Sequence, residues 1–361
     1  MTRRADADGW KRDELLVRAA AAPDALALFA TASTRLRRLV PFDAAVWRAT
    51  DPLTGLIAAP IRVENLDEGG CAAFWTSESD PNTVNPFRAL AAARIPAAAL
   101  RESTGDRPEA SPLHAAYLRP RRLGDELRAV LRVAGRPWGS VSLFRNADGP
   151  AFTAAETELV AGLSAPLAGR LRAFLRPGVV PEEAVAAPEE GTGVLLFDRA
   201  GRLVSANDQA RARIASVAGD AADGTIPIWI ATLVAAGTGR VRVRTRAGRW
   251  LVCQASRLDG DDAFTVVMLE PAPVAEVASI IVEAYELTTR ETEITRLVAA
   301  GLATDEIARR LGITTHTVRD HIKAVLAKVG VASRGELVAK LFTEYVAPAN
   351  ELSVARIRSA S

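Results

Sequence analysis

The stretch LTTRETEITRLVAAGLATDEIARRLGITTHTVRDHIKAVLAKVGVASRGELVAKLF, residues 287–342, divides into four short helices with clear stops. Thr288, with Glu291 three residues on, forms a capping box. Ile294, Leu297 and Val298 give the first helix one apolar face before Gly301 ends it. The second helix is expected to start after Thr304, to carry Ile307, Ala308 and Leu311, and to stop at Gly312. Thr314 caps the third, which turns Val318, Ile322 and Leu326 inward and stops at Gly330. Ser333 and Glu336 repeat the box for a fourth helix with Leu337, Val338 and Leu341 on its apolar face.

Only the residues LGIT separate the second and third helices, the spacing of a helix-turn-helix. In that arrangement the later helix of the pair enters the major groove of double-stranded DNA. The outer face of the third helix holds Thr315, His316, Arg319, Asp320 and Lys323. Arg319 and Lys323 lie one turn apart and can point into one groove. Arg319 suits bidentate reading of guanine, and Lys323 suits a guanine or a phosphate. Asp320 repels phosphate and can accept from a cytosine amine. Thr314 and Thr317 stand where hydroxyls and free amides hold a phosphate, and Arg334 is a further phosphate candidate. From Thr288 to Lys340 there are nine Arg or Lys against six Asp or Glu, a modest basic excess that implies salt-sensitive binding.

These residues resemble the LuxR-type (GerE-, FixJ- or NarL-like) DNA-binding domain. The likeness is carried by Leu287, Thr288, Arg290 and Glu291; by Leu297 and Gly301; by Glu306, Ile307, Ala308 and Leu311; by the run from Thr317 to Ile322; and by Lys328, Val331, Ser333, Arg334 and Leu337. The resemblance implies a four-helix all-α domain that reads bases through Arg319, Asp320 and Lys323. It implies that His321 packs inward and that a homodimer forms through the fourth helix, with Leu337 and Leu341 in the contact. The family usually has serine where Thr304 and Thr314 stand, a departure that keeps the hydroxyl.

Upstream, RPGVVPEEAVAAPEEGT at 176–192 reads as a linker, with three prolines, four glutamates and no apolar periodicity. Beyond it, GVLLFD (193–198), the turn RAG and RLVSAN (202–207) read as strand, turn, strand. A helix start follows in NDQARARI, and three strands in GRVRVRTRAG, RWLVCQASRL and AFTVVMLEP. Alternation of Val241, Val243 and Thr245 with Arg242, Arg244 and Arg246 puts one face in a core and the other in water. This region resembles a PAS domain. The N-terminal region reads as helix over 13–40, broken at Pro23, then a hairpin FDAAVWRAT–DPLTG–LIAAPIRV (42–63). A short helix near Phe87–Ala93 precedes a hairpin of 125–135 and 136–146 turning at Gly135 and Arg136. A long helix then starts with the Thr153–Glu156 box and contains Pro166. The hairpin-and-helix cues resemble a GAF domain.

The expected organisation is therefore multidomain. An α+β GAF-like domain spans 1–175, a linker 176–192, an α+β PAS-like domain 193–272, and an all-α helix-turn-helix domain with its tail 273–361. Together they resemble LuxR-family transcription regulators of the actinobacterial type, with N-terminal domains that sense a ligand or partner. The implied partners are promoter or operator DNA, a second copy of the chain, RNA polymerase and an unidentified small molecule. A protein-interaction adaptor that has lost DNA reading is the alternative, and Arg319 and Lys323 speak against it.

Composition limits the other classes. The chain has 361 residues, 49% hydrophobic and 24% charged, with a formal net charge of +2. Its two cysteines, Cys71 and Cys253, stand apart and read as buried structural residues. With three histidines (His114, His316, His321), no metal site is expected, and no cofactor either. No phosphate-binding G-x-x-x-x-G-K-[ST], receiver-type acidic pair, G-x-S-x-G or H-E-x-x-H occurs, so no enzyme is expected. Trp47, Trp75, Trp138, Trp229 and Trp250 read as core. The N-terminus lacks the apolar stretch of a signal peptide and no apolar run reaches 18 residues, so no membrane span and a cytoplasmic location are expected.

Overall fold

The computed structural model describes residues 2–66, 74–75, 77–78, 80–175, 191–218, 226–258, 263–273 and 284–338. Cys71, most of the 176–192 stretch and Leu341 lie outside the described residues. The chain divides into two compact units, residues 1–174 with 189–271, and residues 175–188 with 272–361. The first is α+β with two antiparallel sheets, and among its described residues the second is all-α.

The first unit opens with α1 (Thr2–Ala20) and α2 (Ala25–Leu36). The helix thus begins earlier than the apolar periodicity suggested. The break falls at Pro23 and Asp24, and the Asp24 carboxylate caps α2 by accepting from the Ala27 amide at 2.8 Å. The expected hairpin is β1 (Ala44–Thr50) and β2 (Ile57–Glu64). After α3 (Phe87–Ala92), β3 (Ala97–Ala99) and α4 (Leu100–Ser103) come β4 (Leu123–Val133) and β5 (Arg136–Asn146). The β4–β5 turn sits one residue earlier than expected. Its central residues are Ala134 and Gly135, both at positive φ (51° and 74°), and Arg136 already pairs with Val133. Two consecutive left-handed residues give the turn whose twist matches a two-residue hairpin. The sheet order is β2-β1-β5-β4-β3.

Helix α5 (Ala154–Ala173) starts at the expected capping box. Thr153 Oγ1 accepts from the Glu156 amide, and Glu156 Oε2 accepts from the Thr153 amide at 2.9 Å. It runs through Pro166 as one element and buries Val160, Leu163, Leu167 and Leu171 on the sheet. Ser164 pins it to β4, donating to the Val130 carbonyl at 2.7 Å and accepting from the Arg132 amide at 3.0 Å. Gly139 on β5 is a close-approach position, because a Cβ there would lie 2.8 Å from both the Arg48 carbonyl oxygen and Leu171 Cδ1.

The second sheet is built from β6 (Gly193–Phe197), β7 (Leu203–Ala206), β8 (Gly239–Arg244), β9 (Trp250–Leu258) and β10 (Phe264–Pro271), in the order β7-β6-β10-β9-β8. Helices α6 (Asp208–Ala218) and α7 (Ile228–Ala236) accompany it. Val241, Val243 and Thr245 are buried as the alternation implied. The arginines between them are not a uniformly wet face. Arg242 is half-buried and binds Asp51 of the β1–β2 turn through its amide at 3.0 Å and its guanidinium at 2.8 Å. Arg244 donates to the Phe174 carbonyl at 2.9 Å, and Arg246 alone is exposed. Alternation places a side chain on a face but cannot tell whether another sheet covers that face, and here the β1–β2 turn does.

The second unit contains α8 (Thr289–Ala299), α9 (Thr304–Leu311) and α10 (Thr315–Val329), with a last helix beginning at 334 and described through 338. Among the described residues, no helix is long and apolar enough to cross a membrane.

Candidate nucleic-acid interface

The second unit is held by local signals at nearly every helix end. Thr288 Oγ1 accepts from the Glu291 amide at 3.3 Å and Glu291 Oε2 accepts from the Thr288 amide at 2.7 Å, the expected box on α8. Helix α9 differs from expectation by one position. Its N-cap is Ala303, and Thr304 is the first helical residue. Alanine offers no acceptor, so the Glu306 carboxylate alone reaches back, to the Ala303 amide at 2.7 Å. Gly312, at φ 65°, closes α9 and lets the chain turn into α10. Thr314 caps α10, accepting from the Thr317 amide at 3.1 Å. Gly330 ends it at φ 72°.

The core of the unit contains Ile294, Val298, Ile307, Val318, Val325 and Val329, each at most 4% exposed. The inner stripe of α10 is rotated from the expected one. Val318, Val325 and Val329 are buried, while Ile322 and Leu326 are half-buried. Spacings of seven and four residues carry a stripe along one helical face as well as two fours do, so periodicity alone did not separate them.

Lys328 and Glu291 tie α10 to α8. The ammonium donates to Glu291 Oε2 at 2.6 Å and to the Glu286 carbonyl at 2.9 Å. Burial pushes the Glu291 carboxyl up, but the Lys328 ammonium and the Thr288 amide and hydroxyl outweigh it and hold it below the usual carboxylate range. Both residues were visible in the motif, but they are 37 positions apart and nothing local pairs them.

The outward face of α10 carries the residues singled out for base reading. His316, Arg319, Asp320 and Lys323 are all exposed, and Arg319 and Lys323 make no hydrogen bond or ion pair with any described residue. Asp320 is engaged, since its Oδ2 lies 2.9 Å from His316 Nδ1 across one helical turn. That i,i+4 spacing was legible in the sequence as a pair and was missed. His321 is half-buried. Thr314 and Thr317 turn their hydroxyls to each other at 2.8 Å beside the first turn of α10, where the Thr315 and His316 amides have no intrahelical acceptor. The face can donate hydrogen bonds from a fork (Arg319) and a point charge (Lys323), with one paired acceptor between them.

The remaining candidates have other engagements. Arg334 donates to the Leu302 carbonyl and so bridges the last helix to the α8–α9 turn. Leu337 is fully buried, which makes it a core residue of its own unit in this chain. Cys253 in the first unit is buried, and burial pushes its thiol well up, away from a reactive thiolate. Among the described residues, no group of His, Cys, Asp or Glu could hold a metal ion.

Residues 285–341 match the family described as bacterial regulatory proteins, luxR family. The spore germination protein GerE of Bacillus subtilis is 42% identical over 55 residues, 15% of this chain and 74% of GerE. The nitrate/nitrite response regulator NarL of Escherichia coli is 49% identical over 51 residues, 14% of this chain and 24% of NarL. For an HTH-type transcriptional regulator of Mycobacterium bovis, 46% identical over 52 residues, the matched part is 6% of that protein's length. Among solved structures, Escherichia coli SdiA aligns over 93% of this chain and 97% of its own, at 14% identity and a TM-score of 0.34.

Proposed function

Because this chain belongs to the luxR family of bacterial regulatory proteins, we propose that it is a sequence-specific, double-stranded DNA-binding transcription regulator with α10 as its reading helix. The observation that carries this reading is the pairing of a buried inner stripe with the exposed Arg319 and Lys323, which have no partner among the described residues, on one helix. A side chain without internal partners, on a helix braced from behind, is available to base edges at no cost in lost contacts. Arg319 reads guanine, Lys323 takes a guanine or phosphate, and Asp320, steered by His316, accepts from a cytosine amine. Thr314 and Thr317 flank the phosphate path. Arg334 acts by positioning the α8–α9 turn through the Leu302 carbonyl.

The protein acts as a homodimer on a two-fold site. Leu337 supports the last helix from within, which leaves the contact to its outer positions and to Leu341. The GAF-like residues 1–175 and PAS-like residues 193–272, separated by the 176–192 linker, sense a small molecule or partner and bias DNA binding in the cytoplasm, with RNA polymerase as the downstream partner. Footprinting on fragments upstream of the protein's own operon tests the reading. A protected site with two symmetric halves supports it. Binding to a partner protein with no protected DNA supports the adaptor alternative instead.

A further inference from the structure

The first sheet has two unlike faces. Under α2 and α5 it is apolar, with Trp47, Leu127, Ala129, Leu131, Val141 and Leu143 each at most 1% exposed. Trp47 stacks on Phe29 of α2 there, with ring centroids 6.0 Å apart. The opposite face carries Arg48, Glu126, Arg128, Ser140 and Ser142 at its centre, none more than 2% exposed. Strand register brings them together, with Arg48 opposite Ser140 and Arg128 opposite Ser142. Aromatic rings surround the cluster. The Arg48 guanidinium stands 5.2 Å from the Phe74 centroid and 5.3 Å from those of Trp75 and Phe87. Arg128 shares the same frame, 5.3 Å from the Phe74 centroid and 4.9 Å from that of Phe87.

The charges are unevenly satisfied. Arg128 is bracketed by Glu78 at 2.5 Å and Glu126 at 3.0 Å. Arg48 donates to Ser142 Oγ at 3.1 Å and has no ion pair with a described carboxylate. Burial draws the Arg48 pKa down to about 10, with Glu126 opposing the fall and the nearby Arg128 adding to it. Four buried atoms in the cluster lack a hydrogen-bond partner among the described residues: Arg48 Nε, Arg128 Nη2, Glu126 Oε1 and Ser140 Oγ. A fold gains nothing from such an arrangement. Unpaired buried polar atoms cost free energy, and well-packed apolar residues in place of buried charges are often neutral or stabilising. Two guanidiniums with unused donors, a carboxylate oxygen with unused acceptor capacity and a frame of rings together describe a complement.

We propose that this face binds a small carboxylate with a planar apolar body and one hydrogen-bond donor, its carboxylate taken by Arg48 and Arg128 and its donor by Glu126. The body stacks among Phe74, Trp75 and Phe87, and Ser140 completes the polar lining. The inference deepens the sensory role proposed for residues 1–175 and rests on it for its purpose.

Thermal melting of the full chain with 4-hydroxybenzoate, benzoate and methyl 4-hydroxybenzoate tests it. The first probe has both the charge and the donor, the second lacks the donor and the third lacks the charge. The expected order of Tm increase is 4-hydroxybenzoate, then benzoate, with the ester inert, and several degrees at saturation for the first. Arg48→Met is expected to abolish the shifts while melting no lower than the wild type. Glu126→Gln is expected to erase the preference for 4-hydroxybenzoate over benzoate, and keeps the proposal testable if Arg48→Met does not fold. No shift with either carboxylate, equal shifts with the ester, or an unchanged response in both variants overturns the proposal. DNA affinity with and without 4-hydroxybenzoate reads the sensory role separately. A melting shift with unchanged DNA affinity upholds the site and contradicts only the role.

Discussion

The Lys328 ammonium lies 2.6 Å from the Glu291 carboxylate, whose same oxygen also accepts the capping amide of Thr288. One carboxylate oxygen therefore closes the N-terminus of α8 and anchors the far end of α10, the helix proposed to read DNA. The Glu291 side chain is 7% exposed, so removing the lysine leaves a nearly buried negative charge with half its support.

Lys328→Met is expected to lower the stability of the helical unit by about 2 kcal/mol, the scale of a hydrogen bond to a charged group. Hydrogen exchange at α8 and α10 in the full chain measures it. Unchanged protection would show the pair to be ornamental.

The same pair sets an acid limit. The folded Glu291 pKa lies below its unfolded value. Its contribution is thus complete above the unfolded value, about 4.3, and is lost as pH falls through the folded value. Wild-type protection of α8 should fall with acid more steeply than that of Lys328→Met, in which the main prop of the lowered pKa is gone.

The cap of the reading helix gives a third expectation. Thr314→Ala removes the acceptor for the Thr317 amide. It should cost about 1 kcal/mol, and Thr314→Ser should restore most of it. Equal stability of all three proteins by chemical denaturation would refute a capping role.

Within the first unit, Asp51 is fully buried and takes both the amide and the guanidinium of Arg242, 191 positions away. Asp51→Ala removes the buried carboxylate that accepts both bonds. A loss of about 3 kcal/mol is expected, with earlier proteolysis of residues 193–271 than in the wild type. A cleavage pattern identical to the wild type would show that the two sheets are joined by other contacts.

These cases also show where sequence reading succeeds and where it stops. Helix ends were legible because their determinants are local: Thr288 with Glu291, Thr153 with Glu156, and Gly312 and Gly330 just past a periodic run. Hairpins were legible because alternation and a turn sufficed, to within one residue at Ala134 and Gly135. The Arg319 and Lys323 face followed from the same periodicity. The partnerships Asp51–Arg242 and Glu291–Lys328 were not legible, because charge at a strand or helix position looks the same whether water or another element faces it. The buried Arg48, Glu126 and Arg128 were hidden for that reason, since the alternation that places them on one face also fits a solvated face.

The central claim, that α10 reads DNA through Arg319 and Lys323, is tested most directly by titrating operator DNA with the wild type and with Arg319→Ala/Lys323→Ala. Both side chains are exposed and unpartnered among the described residues, so the double variant should melt like the wild type. The account predicts that Arg319→Ala alone costs about 1–3 kcal/mol of specific binding and relaxes one base position. It predicts that the double variant loses discrimination between operator and random DNA. Specific affinity unchanged in the double variant would contradict it.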